Sequence, residues 1–249
     1  MTSLESLLRS YEVARPAPHD RPWVLLNLVL SADGHASING RVTQLTSPTD
    51  QALFHHLRAL SDVILVGAST VRAEKYGPVR ITDAVARLRV GGGRSERPTL
   101  VIVSRSLELD LDAITGIGQS VVVMTCAASD ATRRARIEAS AEVLVVGDDI
   151  VDLRRGLGLL HERGAHVVLC EGGAVLNGEL VKAELIDEVC VTVAPVLGGD
   201  PSTQSSALQH RALSLQLQHA LAVDGNVFLR WLVADRGTGP ERRSERGTE

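Results

Sequence analysis

The sequence predicts an α/β fold with a mostly parallel central sheet flanked by helices and an antiparallel hairpin at its C-terminal end. Short, continuous apolar runs, typical of parallel strands buried on both faces, alternate with segments of helical periodicity from residue 23 to residue 233. Near the end of the chain, Asp224-Gly225 separates two strand-like runs, which is a strong hairpin signal. We therefore expect a single domain over residues 23–234.

The two flanks of this domain have a different composition. Residues 1–22 begin with a short helical pattern that a proline-rich stretch then breaks, so we expect a peripheral N-terminal segment. Residues 235–249 are charged, contain glycine and proline, and lack apolar periodicity. This composition predicts a disordered tail.

Composition also limits the partners. The net charge of -4 is spread over both signs without a basic stripe, so we expect no nucleic-acid partner. No apolar run approaches the roughly 18 residues that span a bilayer, and the N-terminus lacks a leader pattern, so we expect a cytoplasmic protein without a membrane partner. The three cysteines, Cys126, Cys170 and Cys190, lie in or beside apolar runs without paired spacing, which predicts core residues and no metal site.

The strands and helices can be placed approximately. Strands are predicted at residues 23–30, 62–66, 99–103, 121–125, 143–146, 166–170, 188–194, 213–223 and 226–231. Helices are predicted from about Ser47 or Thr49, over 71–76, from Asp130, from Asp152 and over 174–183. Residues 91–98 are predicted to form a polar surface loop.

The stretch Glu171-Gly-Gly173 is the centre of the functional prediction. It joins an apolar strand to a helical pattern, and helix N-termini present unpaired N–H groups and partial positive charge. Without side chains at Gly172 and Gly173, a phosphate can approach the backbone. We interpret the turn as a pyrophosphate site. The alternative is an ordinary turn that needs glycine only for its dihedral angles.

Polar or small residues follow other predicted strands as well, where open α/β sheets bind their ligands. They are Ser31 to Ala36, Gly67 to Thr70, and Ser104-Arg105-Ser106. The last cluster is suited to an anion, although a solvated strand end is an equal alternative. Within the first strand, Asn27 is the one polar residue of a buried run and needs hydrogen-bond partners.

Four stretches together carry a family resemblance: Ser31-Ala-Asp-Gly34, residues 56–71, Val103-Ser-Arg-Ser106, and Glu171-Gly-Gly173 with Pro195 to Gly199. On these motifs the chain resembles the pyrimidine reductase domain of riboflavin biosynthesis, in the dihydrofolate-reductase-like superfamily. The resemblance implies NADPH bound across the strand ends, a phosphorylated pyrimidine substrate and a homodimer. It also implies hydride transfer from NADPH to the sugar C1′ of a ribosylaminopyrimidine 5′-phosphate.

The resemblance further implies roles for individual residues. Cofactor contacts are expected at Gly67, Thr70, Ser104, Arg105, Gly172, Gly173, Ala174 and Leu176, with Ser104 and Arg105 at the 2′-phosphate. Substrate contacts are expected at Asn27, Ser31, Thr46, Ser47, Arg58 and Arg80. Catalytic residues are expected among Asp33, Glu74 and Glu171, and the proton donor is left open between acids such as Glu74 and Asp33.

One stretch departs from the family pattern, because Glu74-Lys-Tyr76 replaces the usual Asp-Asp-Pro. A reductase of another substrate, such as a dihydropterin or dihydrofolate, therefore stays an alternative. A catalytically silent nucleotide-binding protein is a second alternative, from another functional class. The chain lacks the His-x-Glu and Pro-Cys-x-x-Cys motifs of the zinc deaminase that accompanies this reductase in the family.

Overall fold

A computed structural model describes residues 2–116, 118–200 and 212–234 and contains one nine-stranded sheet. The strands are β1 (Trp23–Leu30), β2 (Val63–Gly67), β3 (Thr99–Val103), β4 (Val121–Thr125), β5 (Glu142–Val145), β6 (Val167–Cys170), β7 (Glu188–Val193), β8 (Leu215–Val223) and β9 (Asn226–Val233). Their order is β5-β4-β3-β2-β6-β1-β7-β9-β8. Neighbours from β5 to β7 pair in parallel, whereas β9 runs antiparallel to β7 and β8. The predicted fold class is confirmed.

Helices cover both faces of this sheet. They are α1 (Leu4–Arg9), α2 (Pro48–Leu60), α3 (Ala68–Ala73), α4 (Asp83–Gly91), α5 (Ala131–Glu138), α6 (Leu153–Glu162) and α7 (Ala174–Lys182). On one face, Leu157 of α6 and Leu180 of α7 pack with Val168 of β6 in a large apolar core. The other face has two smaller cores, one beneath α3 and α5 and one beneath α1 and α2. Within the described ranges, no helix is long and apolar enough to cross a membrane.

The local sequence explains most of these elements. All five residues of β2 are buried, which is why its sequence is a continuous apolar run between two parallel neighbours. Helix α2 begins where Ser47 accepts a hydrogen bond from the Asp50 amide, with Pro48 in the first turn. Three predicted strands, β1, β3 and β4, have the predicted bounds.

Two helices differ from the prediction. Helix α3 begins at Ala68, directly at the end of β2, and ends at Ala73, so the predicted helix over 71–76 is wrong in its bounds. Helix α4 was not predicted, and it extends to the first residue of the predicted loop over 91–98. It has a weak apolar pattern: Leu88 and Val90 are exposed, while Arg89 is buried and donates hydrogen bonds to backbone carbonyls.

The N-terminal segment is not peripheral, so that prediction is wrong. Leu7 and Tyr11 are fully buried and pack with Leu57 of α2 and Phe228 of β9. The helical spacing of α1 is visible in the sequence, but its packing partners lie far along the chain. The predicted disordered tail, residues 235–249, lies outside the described residues.

The strand order determines where a ligand can bind. From β1 the chain builds β2 to β5 on one side, returns to insert β6 between β2 and β1, and then adds β7 on the other side. Open α/β sheets bind ligands at the carboxyl ends of strands near such a reversal. The ends of β3, β2, β6 and β1 therefore form the candidate site.

Candidate active site

The glycine turn after β6 lies against the start of α3. The Gly67 amide donates a hydrogen bond of 2.7 Å to the Gly172 carbonyl. Gly172 has a φ of +84°, which favours glycine, and a Cβ at Gly173 would lie 2.6 Å from the Thr70 hydroxyl oxygen. Four predicted cofactor residues are thus brought together, and at two of them the arrangement favours glycine.

Helix α7 starts at this turn with free backbone donors. Gly173 is its N-cap and supplies no side-chain hydrogen bond, so the first N–H groups of the helix keep their capacity to bind an acceptor. Ala174, the first helical residue, is exposed. Leu176 is buried in the core beside Gly67, so the structure shows a packing role for it, and its predicted cofactor contact stays a prediction.

The loop after β3 combines an anchored serine with a free arginine. The Ser104 hydroxyl accepts a hydrogen bond from the Leu107 amide at 2.9 Å, and Arg133 donates to the Ser106 carbonyl at 2.9 Å. Arg105 is exposed and, within the described residues, makes no hydrogen bond or ion pair. Its guanidinium is therefore available to an anion, whereas Ser104 already supports its own loop.

The loop after β1 is organised by Asp33. Its carboxylate accepts hydrogen bonds from the Ser31 hydroxyl at 2.7 Å and from the Gly198 amide at 2.9 Å. These bonds, that of Ser31 above all, lower the pKa of Asp33 to about 2. An ionised Asp33 has no proton to donate at neutral pH, so the structure argues against it as the acid. Ser31 is likewise engaged, since its hydroxyl also accepts from the His35 amide.

A buried ion pair lies directly before the glycine turn. Arg58 of α2 donates two hydrogen bonds of 2.7 Å to Glu171, one to each carboxylate oxygen, and the Tyr76 hydroxyl donates a third of 2.6 Å. The Glu171 side chain is only 2% exposed. The Arg58 guanidinium also lies 4.2 Å from the centre of the Phe54 ring. Burial, together with the charge of Glu171, raises the pKa of Tyr76 well above its ordinary value, so its hydroxyl remains a donor.

This cluster bears on the predicted roles of Arg58 and Glu171. The Nε and one terminal nitrogen of Arg58 are engaged by Glu171, so fewer of its donors remain for a substrate phosphate, and its predicted substrate contact stays a prediction. The Glu171 carboxylate is sealed beneath the turn and does not face an open site. Sequence reasoning did not assign Tyr76 or Phe54. The one available signal was the departure of Glu74-Lys-Tyr76 from the family pattern.

The other predicted residues lie around the same edge of the sheet. Glu74 is half-buried at the end of α3, and Arg80 is exposed; neither has a polar partner within the described residues. Thr46 donates to the Val42 carbonyl, and Ser47 caps α2 while accepting from Asn226. Asn27 lies in β1 opposite Cys190 and is partly buried. Glu74 and Arg80 thus join Arg105 as predicted residues whose charged groups have no polar partner within the described residues.

Parallel strand ends that meet at a reversal, with a glycine turn leading into a helix, form the place where open α/β sheets bind their ligands. The chain belongs to the RibD C-terminal domain family, whose model matches residues 22–229. It is 31% identical to the 2,5-diamino-6-ribosylamino-4(3H)-pyrimidinone 5′-phosphate reductase of Archaeoglobus fulgidus, over 73% of this chain and 84% of that one. It is 29% identical to the reductase of the same name from Aquifex aeolicus, over 72% of this chain and 80% of that one.

Solved structures agree on the fold. A pyrimidine reductase-like protein from Corynebacterium diphtheriae superposes with a TM-score of 0.75 at 24% identity, over 94% of this chain and 99% of that chain. RibD of Acinetobacter baumannii gives a TM-score of 0.69 at 24% identity, over 87% of this chain and 59% of that chain. The family resemblance inferred from the motifs is confirmed, and the chain is a member of a reductase family.

Proposed function

We propose that the protein is an NADPH-dependent reductase of a ribosylaminopyrimidine 5′-phosphate. The observation that carries the proposal is the packing of the Gly172–Gly173 turn against Gly67 and Thr70, in a chain of the RibD C-terminal domain family. When bound, NADPH would supply the hydride that reduces C1′ of the ring-opened sugar.

The residues at the strand ends fit this cofactor. The free N–H groups at the start of α7 suit a pyrophosphate, and the absence of side chains at the turn leaves the backbone open to it. The unpartnered Arg105 guanidinium suits the adenosine 2′-phosphate. A dinucleotide with this phosphate is therefore favoured over one without it.

Two further residues have the chemistry that the substrate needs. Reduction of an imine carbon leaves the nitrogen in need of a proton, and Glu74, at the end of α3 and without a polar partner within the described residues, is the acid we assign to this step. The exposed Arg80 guanidinium would bind the substrate phosphate, since Arg58 is held by Glu171.

The test is the oxidation of NADPH with candidate substrates. We expect turnover with a ribosylaminopyrimidine 5′-phosphate, supplied both as the 2,5-diaminopyrimidinone for which two relatives are named and as the 5-aminouracil. Dihydrofolate, measured in parallel, should not be reduced. Turnover of dihydrofolate alone would show that the protein is instead a reductase of a dihydropterin or dihydrofolate. NADPH binding without oxidation of any substrate would favour a silent nucleotide-binding protein.

We also propose a homodimer that forms through the C-terminal ribbon. Three apolar side chains of β8 and β9 are exposed: Leu215, Leu217 and Val227, at 43%, 53% and 38%. Exposed apolar side chains of this kind on an edge ribbon are suited to self-association. Sedimentation analysis should give a dimer, and Leu217→Lys should shift it toward the monomer. A monomeric wild type would refute this part of the proposal.

A further inference from the structure

Glu171, Gly172 and Gly173, which directly follow β6, each contact the segment of residues 67–76. The Gly172 carbonyl accepts from the Gly67 amide, Gly173 lies against the Thr70 hydroxyl, and Glu171 accepts from the Tyr76 hydroxyl. The first two contacts are between small groups, and only the third is a hydrogen bond to a charged side chain. Such bonds are shorter and stronger than bonds between neutral groups.

Tyr76 and Arg58 divide the Glu171 carboxylate between them. Arg58 reaches it from α2 and occupies one position on each oxygen, while Tyr76 reaches Oε2 from the turn after α3. Tyr76 is the only side chain of residues 67–76 with a recorded hydrogen bond to Glu171 in the described chain. Without its hydroxyl, the Glu171 side chain would keep its bonds to α2 but lose its bond to the segment against which the glycine turn packs.

We propose that Tyr76 is a positioning residue of the cofactor site, which holds the buried Glu171 carboxylate and thereby fixes the Gly172–Gly173 turn. The inference rests on the proposed NADPH-binding function. It assigns a role to Tyr76 in the stretch Glu74-Lys-Tyr76. Tyr76 acts through its hydrogen bond to Glu171, whose side chain is only 2% exposed. The tyrosine hydroxyl itself need not touch any ligand.

The chain contains a matched control, because it has two tyrosines and both are partly or fully buried. The Tyr11 hydroxyl is buried and has no hydrogen-bond partner, and Tyr11 lies in the N-terminal segment. Tyr76→Phe and Tyr11→Phe therefore make the same chemical change, with and without loss of a hydrogen bond.

Titration calorimetry with NADPH and NADH tests the proposal. Tyr76→Phe should weaken both cofactors about tenfold, as expected when a hydrogen bond to a charged group is lost, because the pyrophosphate is common to both. Tyr11→Phe should bind both like the wild type. In a Glu171→Gln background, Tyr76→Phe should change affinity by less than about twofold, since coupled residues are not additive.

The possible outcomes distinguish a failure of the proposed function from a failure of this inference. A wild type that binds neither cofactor overturns the proposed function and this inference with it. A wild type that binds NADPH, with Tyr76→Phe equal to Tyr11→Phe in affinity, overturns the inference alone. The inference is also overturned if Tyr76→Phe lowers the unfolding temperature but leaves affinity unchanged, because the hydroxyl would then serve stability only.

Discussion

Two buried carboxylates, at opposite ends of the parallel strands, have nearly the same hydrogen-bonding surroundings. Glu171 follows β6 and accepts from Arg58 and Tyr76, whereas Glu188 begins β7 and accepts two hydrogen bonds from Arg15, at 2.8 and 2.9 Å, and one from Arg230, at 2.7 Å. Trp23 adds a fourth bond to Glu188 at 3.1 Å. Each carboxylate thus combines an arginine fork with a donor from an aromatic ring or its hydroxyl.

The difference between them is what each one holds. Glu188 ties the N-terminal segment to the C-terminal ribbon, and its side chain is 0% exposed. Although burial opposes ionisation, the hydrogen bonds from Arg15 and Arg230 lower the pKa of Glu188. Glu171 instead precedes a turn that we assign to the cofactor. Similar chemistry therefore stabilises the fold at the amino ends of the strands, and in our proposal it positions a ligand-binding turn at their carboxyl ends.

The largest effect that would sharpen this comparison is expected from Glu188→Gln. The change leaves two buried guanidiniums without their carboxylate, which typically costs about 3–5 kcal/mol in the free energy of unfolding. The affinity of the folded variant for NADPH should be unchanged. Urea denaturation and calorimetry measure the two quantities. Glu5→Gln is the control, because its pair with Arg9 is exposed at the surface and contributes little. Equal stability of the two variants would contradict the assignment.

A change at the carboxyl end of β6 should lower the affinity for NADPH and leave the fold intact. Gly173→Val places a branched side chain against Thr70, where a Cβ alone would lie 2.6 Å from the hydroxyl oxygen. We expect NADPH affinity to fall by at least about a hundredfold, the equivalent of roughly 3 kcal/mol, which is the upper end of typical overpacking costs. Circular dichroism should show that the sheet is retained. Tight NADPH binding by the folded variant would remove the basis for a phosphate turn.

A more selective effect is expected at Arg105. If its guanidinium binds the 2′-phosphate, Arg105→Ala loses a charge-assisted hydrogen bond worth roughly 1.5–3 kcal/mol, or about ten- to a hundred-and-fifty-fold in NADPH affinity. NADH lacks that phosphate, so its binding should hardly change. The wild-type preference should also decrease at high salt, because exposed charges are screened.

Calorimetry with both cofactors distinguishes this effect from a general defect. An equal loss for NADPH and NADH, or a wild type without any preference, would make Arg105 a solvated strand end.

The smallest effect is expected from pH, which should change the free energy of unfolding through histidines that contact the N-terminal segment. His56 of α2 and His219 of β8 contact the N-terminal segment, and burial lowers the pKa of each below 6.5. A folded state that disfavours protonation is fully stable above the unfolded pKa of about 6.5 and loses stability as the pH falls below it. The Asp33 loop should persist to lower pH, since the pKa of Asp33 is about 2 and its contribution is lost only below about 3.8.

Urea midpoints at pH 7.5 and 5.5 test this order. Replacing both histidines with glutamine should reduce the difference between the two midpoints without abolishing it, because burial also lowers the pKa of His55; replacing the exposed His19 should leave the difference unchanged. A double variant with the same decrease as the wild type would show that other groups cause the loss.

Local patterns in the sequence determined the main features of this fold. The apolar runs of β1, β3 and β4 and the Asp224-Gly225 hairpin are set by burial and by turn geometry within a few residues, so they are visible without the structure. The glycine turn was predicted for the same reason, because a φ of +84° at Gly172 is a local requirement. The motif order was specific enough to indicate the family.

Only the tertiary structure decided which charged groups meet. Arg58 is 113 residues from Glu171, and Arg15 is 173 residues from Glu188. Nothing in the spacing of a short window reports such pairs, so Arg58 was predicted at the substrate phosphate and residues 1–22 were predicted to be peripheral. The low pKa of Asp33 has a local main cause, the Ser31 hydroxyl, and a distant second one, the Gly198 amide, which lies 165 residues away along the chain. Roles that depend on hydrogen bonds and burial are set by contacts between distant segments, and those contacts exist only once the sheet has formed.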